Sequence, residues 1–323
     1  MKIKYFIGPM SKLVVDSIIE FSEETGNTIG LIPSRRQVEY NGGYVNNWTT
    51  EAFKTYAKAF FVTRDHGGPG QGLKMDDGYE SLKVDCKHLD MIHIDPWKKH
   101  PQYKEGLKKT IEMIKFCHKE NSNIYFEVGT EESIRRFTTN EIDQLLTDLK
   151  NGLETEEYSQ ILYCVIQSGT SLKGNVNTGL YDTERLVSMI EVVQTHGFLS
   201  KEHNGDYLPA SLIKEKFSLG LDSINIAPEF GQIETKTYLE KIKNEKAELL
   251  DMFWAICYES KRWEKWVNND FDPIKQKEEL INICGHYVLS YENFHKEIKS
   301  KFDNIDEEIK NNIKKKLETL FNG

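Results

Sequence analysis

Short runs of β-branched and aromatic residues recur along the first two thirds of the chain, at intervals of about thirty residues. Each run is followed by a polar loop and then by a stretch whose apolar residues return every three or four positions, the spacing of an amphipathic helix. The pattern predicts eight strands, at residues 4–8, 28–33, 59–64, 90–95, 123–129, 161–167, 196–200 and 221–227.

The alternation of strand and helix predicts a parallel sheet with helical crossovers, and eight such units within roughly 230 residues suit a closed (β/α)8 TIM barrel. A doubly wound open sheet is the alternative. It is disfavoured because the first strand runs into GPMSK at 8–12, not into a glycine-rich dinucleotide turn. Beyond residue 231 the strand pattern stops. We therefore expect a barrel at 1–231 and a C-terminal helical extension, packed on the barrel, at 232–323.

The chain of 323 residues carries 42 basic and 51 acidic side chains, which gives a net charge of −9. A negative surface repels a phosphate backbone, so nucleic acid is not expected as a partner. No apolar stretch reaches about 18 residues, the length of a membrane span, and the first apolar segment is too short for a signal peptide. We expect a cytoplasmic protein without membrane contact. The 5 cysteines are widely spaced and lack a CxxC pair, which indicates reduced, mostly buried thiols.

In a barrel of this kind, the loops after the carboxyl ends of the strands converge on one mouth. Chargeable residues and glycines concentrate after the predicted strands, whereas the strand beginnings carry ordinary loop residues. The densest group is RDHGGPGQG at 64–72. Its glycines impose a tight turn directly after Asp65 and His66, and such a turn lets main-chain amides approach a ligand. His66 can serve as a metal ligand, and Asp65 beside it as an acid or base.

The segment KEHNGDYLP at 201–209 repeats this pattern after the seventh predicted strand. His66 and His203, at separate strand ends, can meet across the mouth and supply two ligands of a divalent metal, which needs three or four. The third ligand stays open among the residues at the ends of the fourth, fifth and sixth strands, namely His93, Asp95, Glu127, Glu131 and Gln167.

Strand alternation places His93 and Asp95 on the same face, so both point into the barrel or both point away. A core position for His93 and a buried ion pair for Asp95 are equally compatible with the sequence. His286 can reach the mouth only if the C-terminal helices fold over it.

Basic residues follow the second, third and sixth predicted strands: Arg35 and Arg36, then Arg64, then Lys173. In a chain of negative net charge, basic groups near one opening suit a phosphorylated or carboxylated small molecule, since a guanidinium offers two parallel donors. Ion pairing with neighbouring glutamates is the alternative for each of them.

Seven motifs in order carry a resemblance that extends over nearly the whole chain: IPSRRQVEYNGGY, RDHGGPGQG, MIHIDPW, FEVGTEES, VIQSGTSLKGN, KEHNGDYLP and SINIAPE. Together they resemble the accessory-subunit family of tagatose-bisphosphate aldolase, relatives of the class II (zinc-dependent) ketose-bisphosphate aldolases. The resemblance implies a TIM barrel. It also implies zinc on His66 and His203 with Glu127 near the metal, and proton transfer by Asp65.

For the substrate, the resemblance implies a phosphate loop at Asn204, Gly205 and Asp206 and a contact from Asn225. Asp95 and Glu131 are further catalytic candidates, and Gln167 a further substrate contact. One departure stands out. The catalytic aldolases have another zinc histidine after the sixth strand, where this chain reads Ser171-Leu172-Lys173-Gly174. A carboxylate, Glu127 or Glu131, or else Gln167, would have to complete the metal's coordination.

These residues favour a metal-dependent, aldolase-like enzyme that acts on a phosphorylated or acidic ketose through a metal-stabilised enediolate, with a divalent cation, most simply zinc, as cofactor. One alternative is a non-catalytic subunit that stabilises a separate tagatose-bisphosphate aldolase. A second is a metal-dependent keto-sugar epimerase on the same scaffold, and a phosphosugar isomerase ranks last. The expected partners are a small sugar phosphate or sugar acid, a catalytic aldolase subunit in the first alternative, and further copies of this chain in a homo-oligomer.

Overall fold

A computed structural model describes residues 2–173 and 176–322. Eight parallel strands form a closed barrel in which neighbours along the chain are neighbours in the sheet. We number them β1 to β8: Tyr5–Ile7, Gly30–Leu31, Phe61–Gly67, Met91–Ile94, Tyr125–Val128, Ile161–Ile166, Leu199–Glu202 and Ser223–Ile226. A short antiparallel hairpin, Leu172–Lys173 with Val176–Asn177, follows β6.

The barrel is surrounded by helices that connect successive strands. These are α1 to α8, at Lys12–Thr25, Thr50–Tyr56, Tyr79–His88, Tyr103–Glu120, Thr139–Gly152, Thr155–Ser159, Thr183–Thr195 and Ala210–Ser218. After β8 the described chain is helical, with α9 to α13 at Pro228–Glu245, Leu250–Glu259, Lys277–Cys284, Glu292–Glu297 and Ile305–Asn322. None of the helices in the described ranges is long and apolar enough to cross a membrane. All five cysteines are buried thiols.

The predicted (β/α)8 barrel with a helical C-terminal region is confirmed. All eight strands differ somewhat from their predicted bounds, and the largest shifts are in β3 and β7. β7 begins at Leu199 instead of residue 196, because His196 caps α7 and Gly197, with φ of 82°, turns the chain out of the helix. β3 continues to Gly67, so Asp65 and His66 lie within the strand and not in the loop after it.

The inside of the barrel is filled by a small cluster of large side chains, which includes Phe6, Met91 and Tyr163. Phe6 occupies the space that a side chain at position 30 would need: a Cβ on Gly30 would lie 2.3 Å from the Phe6 ring. Above this layer, the ammonium group of Lys201 lies 3.8 Å from the centre of the Phe6 ring. The barrel is therefore a packed core, closed below the mouth.

The C-terminal helices share the hydrophobic core of the barrel. The predicted boundary after residue 231 falls inside α9. The last helix, α13, packs against α1 and α9. The hydroxyl of Tyr5, at the start of β1, donates to the carbonyl of Leu320 at 2.6 Å. At the other end of the barrel, the ring of Tyr287 packs 5.2 Å from Tyr44, which lies in the loop after β2. The extension thus reaches from the base of the barrel to its mouth.

Glu234 connects α9 to the start of α1, where it accepts a hydrogen bond from Ser11, the N-cap residue of that helix. Burial raises the pKa of the Glu234 carboxyl to about 7 from its ordinary 4.5. A carboxyl whose pKa is higher in the folded state contributes stability below its unfolded pKa, and this stability is lost as the pH rises through 7.

We predict that Glu234→Gln, which keeps the hydrogen-bond acceptor and cannot ionise, is as stable as the parent chain at pH 4.5 and more stable at pH 8, by on the order of 2 kcal/mol. Urea unfolding at both pH values measures the difference. Glu240→Gln, an exposed position on the same helix, is the control and should change stability by less than about 0.5 kcal/mol. Equal stability of the Glu234 variant and the parent chain at pH 8 would contradict the assignment.

Candidate active site

A bulge in β3 directs its polar residues toward the mouth. The pairing of β3 with β4 shifts register between Arg64 and Gly67, and His66 within the bulge has φ of 48°, in the left-handed region. Such a conformation costs a non-glycine residue on the order of 1–3 kcal/mol and is typical of functional sites. Gly68, with φ of 144°, follows so closely under Asp95 that a Cβ there would lie 2.9 Å from the Asp95 carbonyl oxygen.

Three imidazole rings meet at the mouth. The ring centres of His66 and His93 are 5.0 Å apart, those of His66 and His203 5.3 Å, and those of His93 and His203 5.0 Å. Together with Asp65, each of these residues offers a ligand atom, and all four atoms lie within 4.8 Å of one another. The structure thus brings together the predicted pair, His66 and His203, and adds His93 from β4 as the third imidazole.

Each ring is held by an acceptor on one nitrogen. Nδ1 of His66 lies 2.6 Å from Oδ2 of Asp95, and Nε2 of His203 lies 2.7 Å from Oε1 of Glu127. Nε2 of His93 lies 3.0 Å from the carbonyl oxygen of Gly129. Metal-binding histidines in proteins are oriented in this way, through the nitrogen that does not bind the metal.

These contacts change two of the predicted roles. Glu127 has one oxygen on His203 and the other 2.7 Å from Nζ of Lys201, so it lies behind His203 and not among the candidate metal ligands. Asp95 is fully buried, and its Oδ2 contacts the His66 ring and accepts a hydrogen bond from the Thr130 hydroxyl at 3.2 Å. It therefore orients the His66 ring and does not face the cavity. His93, which the sequence left among the alternatives, joins His66 and His203 in the cluster.

The electrostatics of the cluster favour a positive charge at its centre. Burial would lower the pKa of His66, but the carboxylates of Asp65, Asp95 and Glu131 raise it to about 10. Burial lowers the pKa of His93, which favours the neutral ring, and its Nδ1 lies 3.3 Å from the backbone N–H of His66, which donates to it. Three imidazoles with a neighbouring carboxylate are a donor set that suits a divalent metal such as zinc. The described residues therefore fit the metal that the resemblance implies.

The polar side chains of the loop after β7 are engaged in hydrogen bonds with neighbouring segments. The Asn204 amide donates to Glu131 at 2.7 Å, and Oδ1 of Asp206 accepts from the backbone N–H groups of Ala227 and Glu229. Burial raises the pKa of the Asp206 carboxyl to about 7. Gly205 fits tightly, since a Cβ there would lie 2.6 Å from the side chain of Ile224.

Two predicted substrate contacts, Arg35 and Arg64, are structural instead. The Arg64 guanidinium is fully buried behind the barrel wall, where it forms two hydrogen bonds to Asp85 at 2.8 and 2.7 Å. Arg35 is also buried and forms ion pairs with Glu39 and Asp76. Neither side chain lines the cavity at the mouth. Strand alternation explains why Arg64 is buried. Asp65 faces the mouth, so the side chain of its neighbour Arg64 points toward the helices.

Gln167 and Lys173 do not line this cavity either. The Gln167 amide donates to the carbonyls of Thr130 and Arg135 and accepts from the backbone N–H of Phe137. Lys173 lies exposed on the hairpin after β6. Its neighbours Gly174 and Asn175 in the VIQSGTSLKGN motif lie outside the described residues.

A cavity of about 540 Å³ opens above the imidazole cluster, a size typical of sites for small molecules. Of the predicted residues, its wall contains Arg36, Asp65, His66, Glu131, His203, Asn204, Asp206 and Asn225. It also contains basic residues that sequence analysis missed, Lys98 after β4 and Arg262 and Lys265 from the extension. Lys98 follows the MIHIDPW motif directly and could have been found there. Arg262 and Lys265 could not, because nothing in KRWEKW indicates that this segment covers the mouth.

The buried pair of Lys201 and Glu127 gives a prediction on stability. Lys201→Met fits the aromatic surroundings but leaves the Glu127 charge buried without its partner, which should cost about 3–5 kcal/mol of unfolding free energy. The double variant Lys201→Met/Glu127→Gln should recover most of that loss. Urea unfolding measures both, with exposed Lys173→Met as the control. A double variant no more stable than the single one would show that the pair does not account for the loss.

No protein-family model matches the sequence, and no curated protein matches it. Among solved structures, a probable tagatose 6 phosphate kinase from Sinorhizobium meliloti 1021 is similar with a TM-score of 0.76 and 14% identity over 100% of both chains. The YdjI aldolase from Escherichia coli K12 has a TM-score of 0.55 and 14% identity, over 92% of this chain and 93% of its own. The fructuronate-tagaturonate epimerase UxaE from Cohnella laeviribosi has a TM-score of 0.62 and 9% identity, over 99% and 81%. At these identities the likeness shows the fold, so this chain has the closed (β/α)8 barrel of these proteins.

Proposed function

We propose that this protein is a metal-dependent enzyme that makes or breaks the bond beside the carbonyl group of a phosphorylated or acidic ketose. The observation that carries the proposal is the meeting of His66, His93 and His203 beside Asp65, where Asp65, His66 and His203 line a cavity large enough for a sugar and His93 lies buried beside them. Two consecutive strands, β3 and β4, supply His66 and His93, and His203 directly follows β7. Packing alone gives no reason for three rings to gather at a mouth.

The three histidines would hold the metal, and zinc is the ion we propose first, because imidazole nitrogens and a carboxylate oxygen are its usual ligands. A bound divalent cation would supply Lewis acidity to a substrate carbonyl oxygen. Asp95, Glu127 and the Gly129 carbonyl keep the rings oriented before any ligand arrives, through the contacts at 2.6, 2.7 and 3.0 Å. The chain thus provides a site that is already organised when substrate binds.

Asp65 is the residue we assign to proton transfer. It lies in the cavity wall next to His66, with Oδ1 3.9 Å from Nε2 of that ring. In an aldol cleavage, a base takes the proton of a hydroxyl group, that carbon becomes an aldehyde, and the adjacent carbon–carbon bond breaks toward the ketone. Glu131, also in the wall, is held by Ser133 and Asn204 and is the second carboxylate within reach of the substrate.

Aldol cleavage is the first choice of reaction and epimerisation the second. The fold is shared with the YdjI aldolase and with the epimerase UxaE, so both reactions occur on this scaffold. An epimerase would use the same Asp65 and release no fragment. A non-catalytic subunit for a separate aldolase is the remaining alternative, and it predicts neither bound metal nor turnover by this chain alone.

We predict that the purified chain binds about one zinc ion per molecule and that His66→Ala, His93→Ala or His203→Ala lowers zinc affinity at least tenfold. Metal analysis and zinc titration measure the binding. His196→Ala is the matched control, because this histidine lies at the end of α7, away from the mouth, on Asp143.

Turnover is measured on a panel of ketose phosphates and sugar acids, with a trap for released aldehyde. Trapped aldehyde indicates cleavage, and a changed sugar without aldehyde indicates an epimerase or, if an aldose forms, an isomerase. Absence of both zinc and turnover, with activity appearing only beside a partner aldolase, would refute the enzyme and support the stabilising subunit.

A further inference from the structure

Four basic residues line the cavity: Arg36, Lys98, Arg262 and Lys265. Arg36 follows β2 and Lys98 follows β4, while the other two come from the segment between α10 and α11 of the extension. The four charges are close enough to affect one another. Although Lys265 is exposed, desolvation at the cavity wall and the repulsion of Arg36, Arg262 and Lys98 lower its pKa.

None of these four side chains forms an ion pair with any residue in the described ranges, although the chain has nine more acidic than basic groups. The Nε of Arg36 donates to the carbonyl of Gly72 at 3.3 Å, and the ammonium of Lys265 lies 4.4 Å from the ring of Trp266. Four basic groups without an ion pair that converge on one cavity wall indicate a site for an anion.

Two buried polar side chains in the same wall also lack partners in the described part of the chain. Both ring nitrogens of His286 are buried without a hydrogen bond, as is Oδ1 of Asn225. His286 is 3% exposed, and its Cβ packs so closely on α9 that a Cβ at Gly231 would lie 2.8 Å away. Buried polar atoms normally have a partner, so these indicate the place of a ligand's polar groups.

The basic residues lie across the mouth from the loop that the resemblance assigns to phosphate. In a closed barrel of eight strands, β3 and β7 are opposite each other, and β2 and β4 flank β3. Arg36 and Lys98 follow these flanking strands, whereas Asn204 and Gly205 follow β7 and have their polar groups in use. The imidazole cluster occupies the space between.

We propose that Arg36, Lys98, Arg262 and Lys265 bind the terminal phosphate of the substrate, so that the C-terminal extension forms half of the active site. This inference rests on the proposed function, which identifies the bound molecule as the substrate. A phosphate ester fits better than a carboxylate, because its two negative charges and three acceptor oxygens match four cations, whereas a carboxylate offers one charge and two oxygens. The metal site and the basic residues then hold opposite ends of one sugar.

The test measures binding, on the full chain at low ionic strength, by calorimetric titration. The probes are inorganic phosphate and three compounds that differ only at C6: fructose 6-phosphate, fructuronate and fructose. We expect fructose 6-phosphate to bind more tightly than the other two. Arg262→Ala and Lys265→Ala should each weaken binding of both phosphate probes about tenfold or more. Arg262→Lys should retain part of the affinity.

Lys275→Ala is the matched control, because Lys275 is an exposed lysine of the same extension, paired with Asp272 and away from the cavity. Zinc content and melting temperature of each variant must equal those of the parent chain, which separates lost binding from lost structure. Unchanged phosphate binding in both alanine variants, or tighter binding of fructuronate than of fructose 6-phosphate, would overturn the proposal. If the chain binds no metal or shows no turnover, but still binds phosphate in a way that depends on Arg262, the proposed function is refuted and the anion site is supported.

Discussion

The position of the imidazole cluster depends on one buried ion pair inside the barrel. Glu127 and Lys201 are both inaccessible to solvent, and their charged atoms are 2.7 Å apart. Although burial opposes ionisation, the charge of Lys201 and the hydrogen bond from His203 hold the pKa of Glu127 well below its usual range. The carboxylate is therefore ionised, and a buried carboxylate must have its second oxygen satisfied as well. The His203 ring contacts this second oxygen of Glu127, and the contact fixes the position of the ring at the mouth of the barrel.

The other two rings are fixed by equally local requirements on other strands. Asp95 holds His66 from β4, and the Gly129 carbonyl, at the end of β5, holds His93. Since His66 and His93 lie in strands and His203 directly follows one, closure of the barrel sets the distances between the rings. Loops contribute mainly to the walls of the cavity above. This division suits a site whose floor is constant and whose walls are set by the loops and the extension.

Much of this arrangement could be read from the sequence, and the reason is the regular βα period. It predicted all eight strands and placed Asp65, His66 and His203 at one rim. The burial of Arg35 and Arg64 could not be read in the same way, because an arginine at a strand end has the same local signature whether it faces a ligand or a buried aspartate. The sequence could not show that His93, and not Glu127, joins the other two imidazoles. That depends on the position of Lys201, and the charge of a lysine does not indicate burial. Arg262 and Lys265 depend on how the helices after α9 cross the mouth, which local patterns do not encode.

The contact between the two ends of the described chain bears on how the protein is made. The apolar face of α1 is covered by α13, whose Lys310 and Lys314 also form ion pairs with Glu20 and Glu24. On the ribosome, α1 emerges some 280 residues before its cover, at synthesis rates that leave it exposed for many seconds. The apolar face of α1 therefore stays uncovered until α13 has been synthesised.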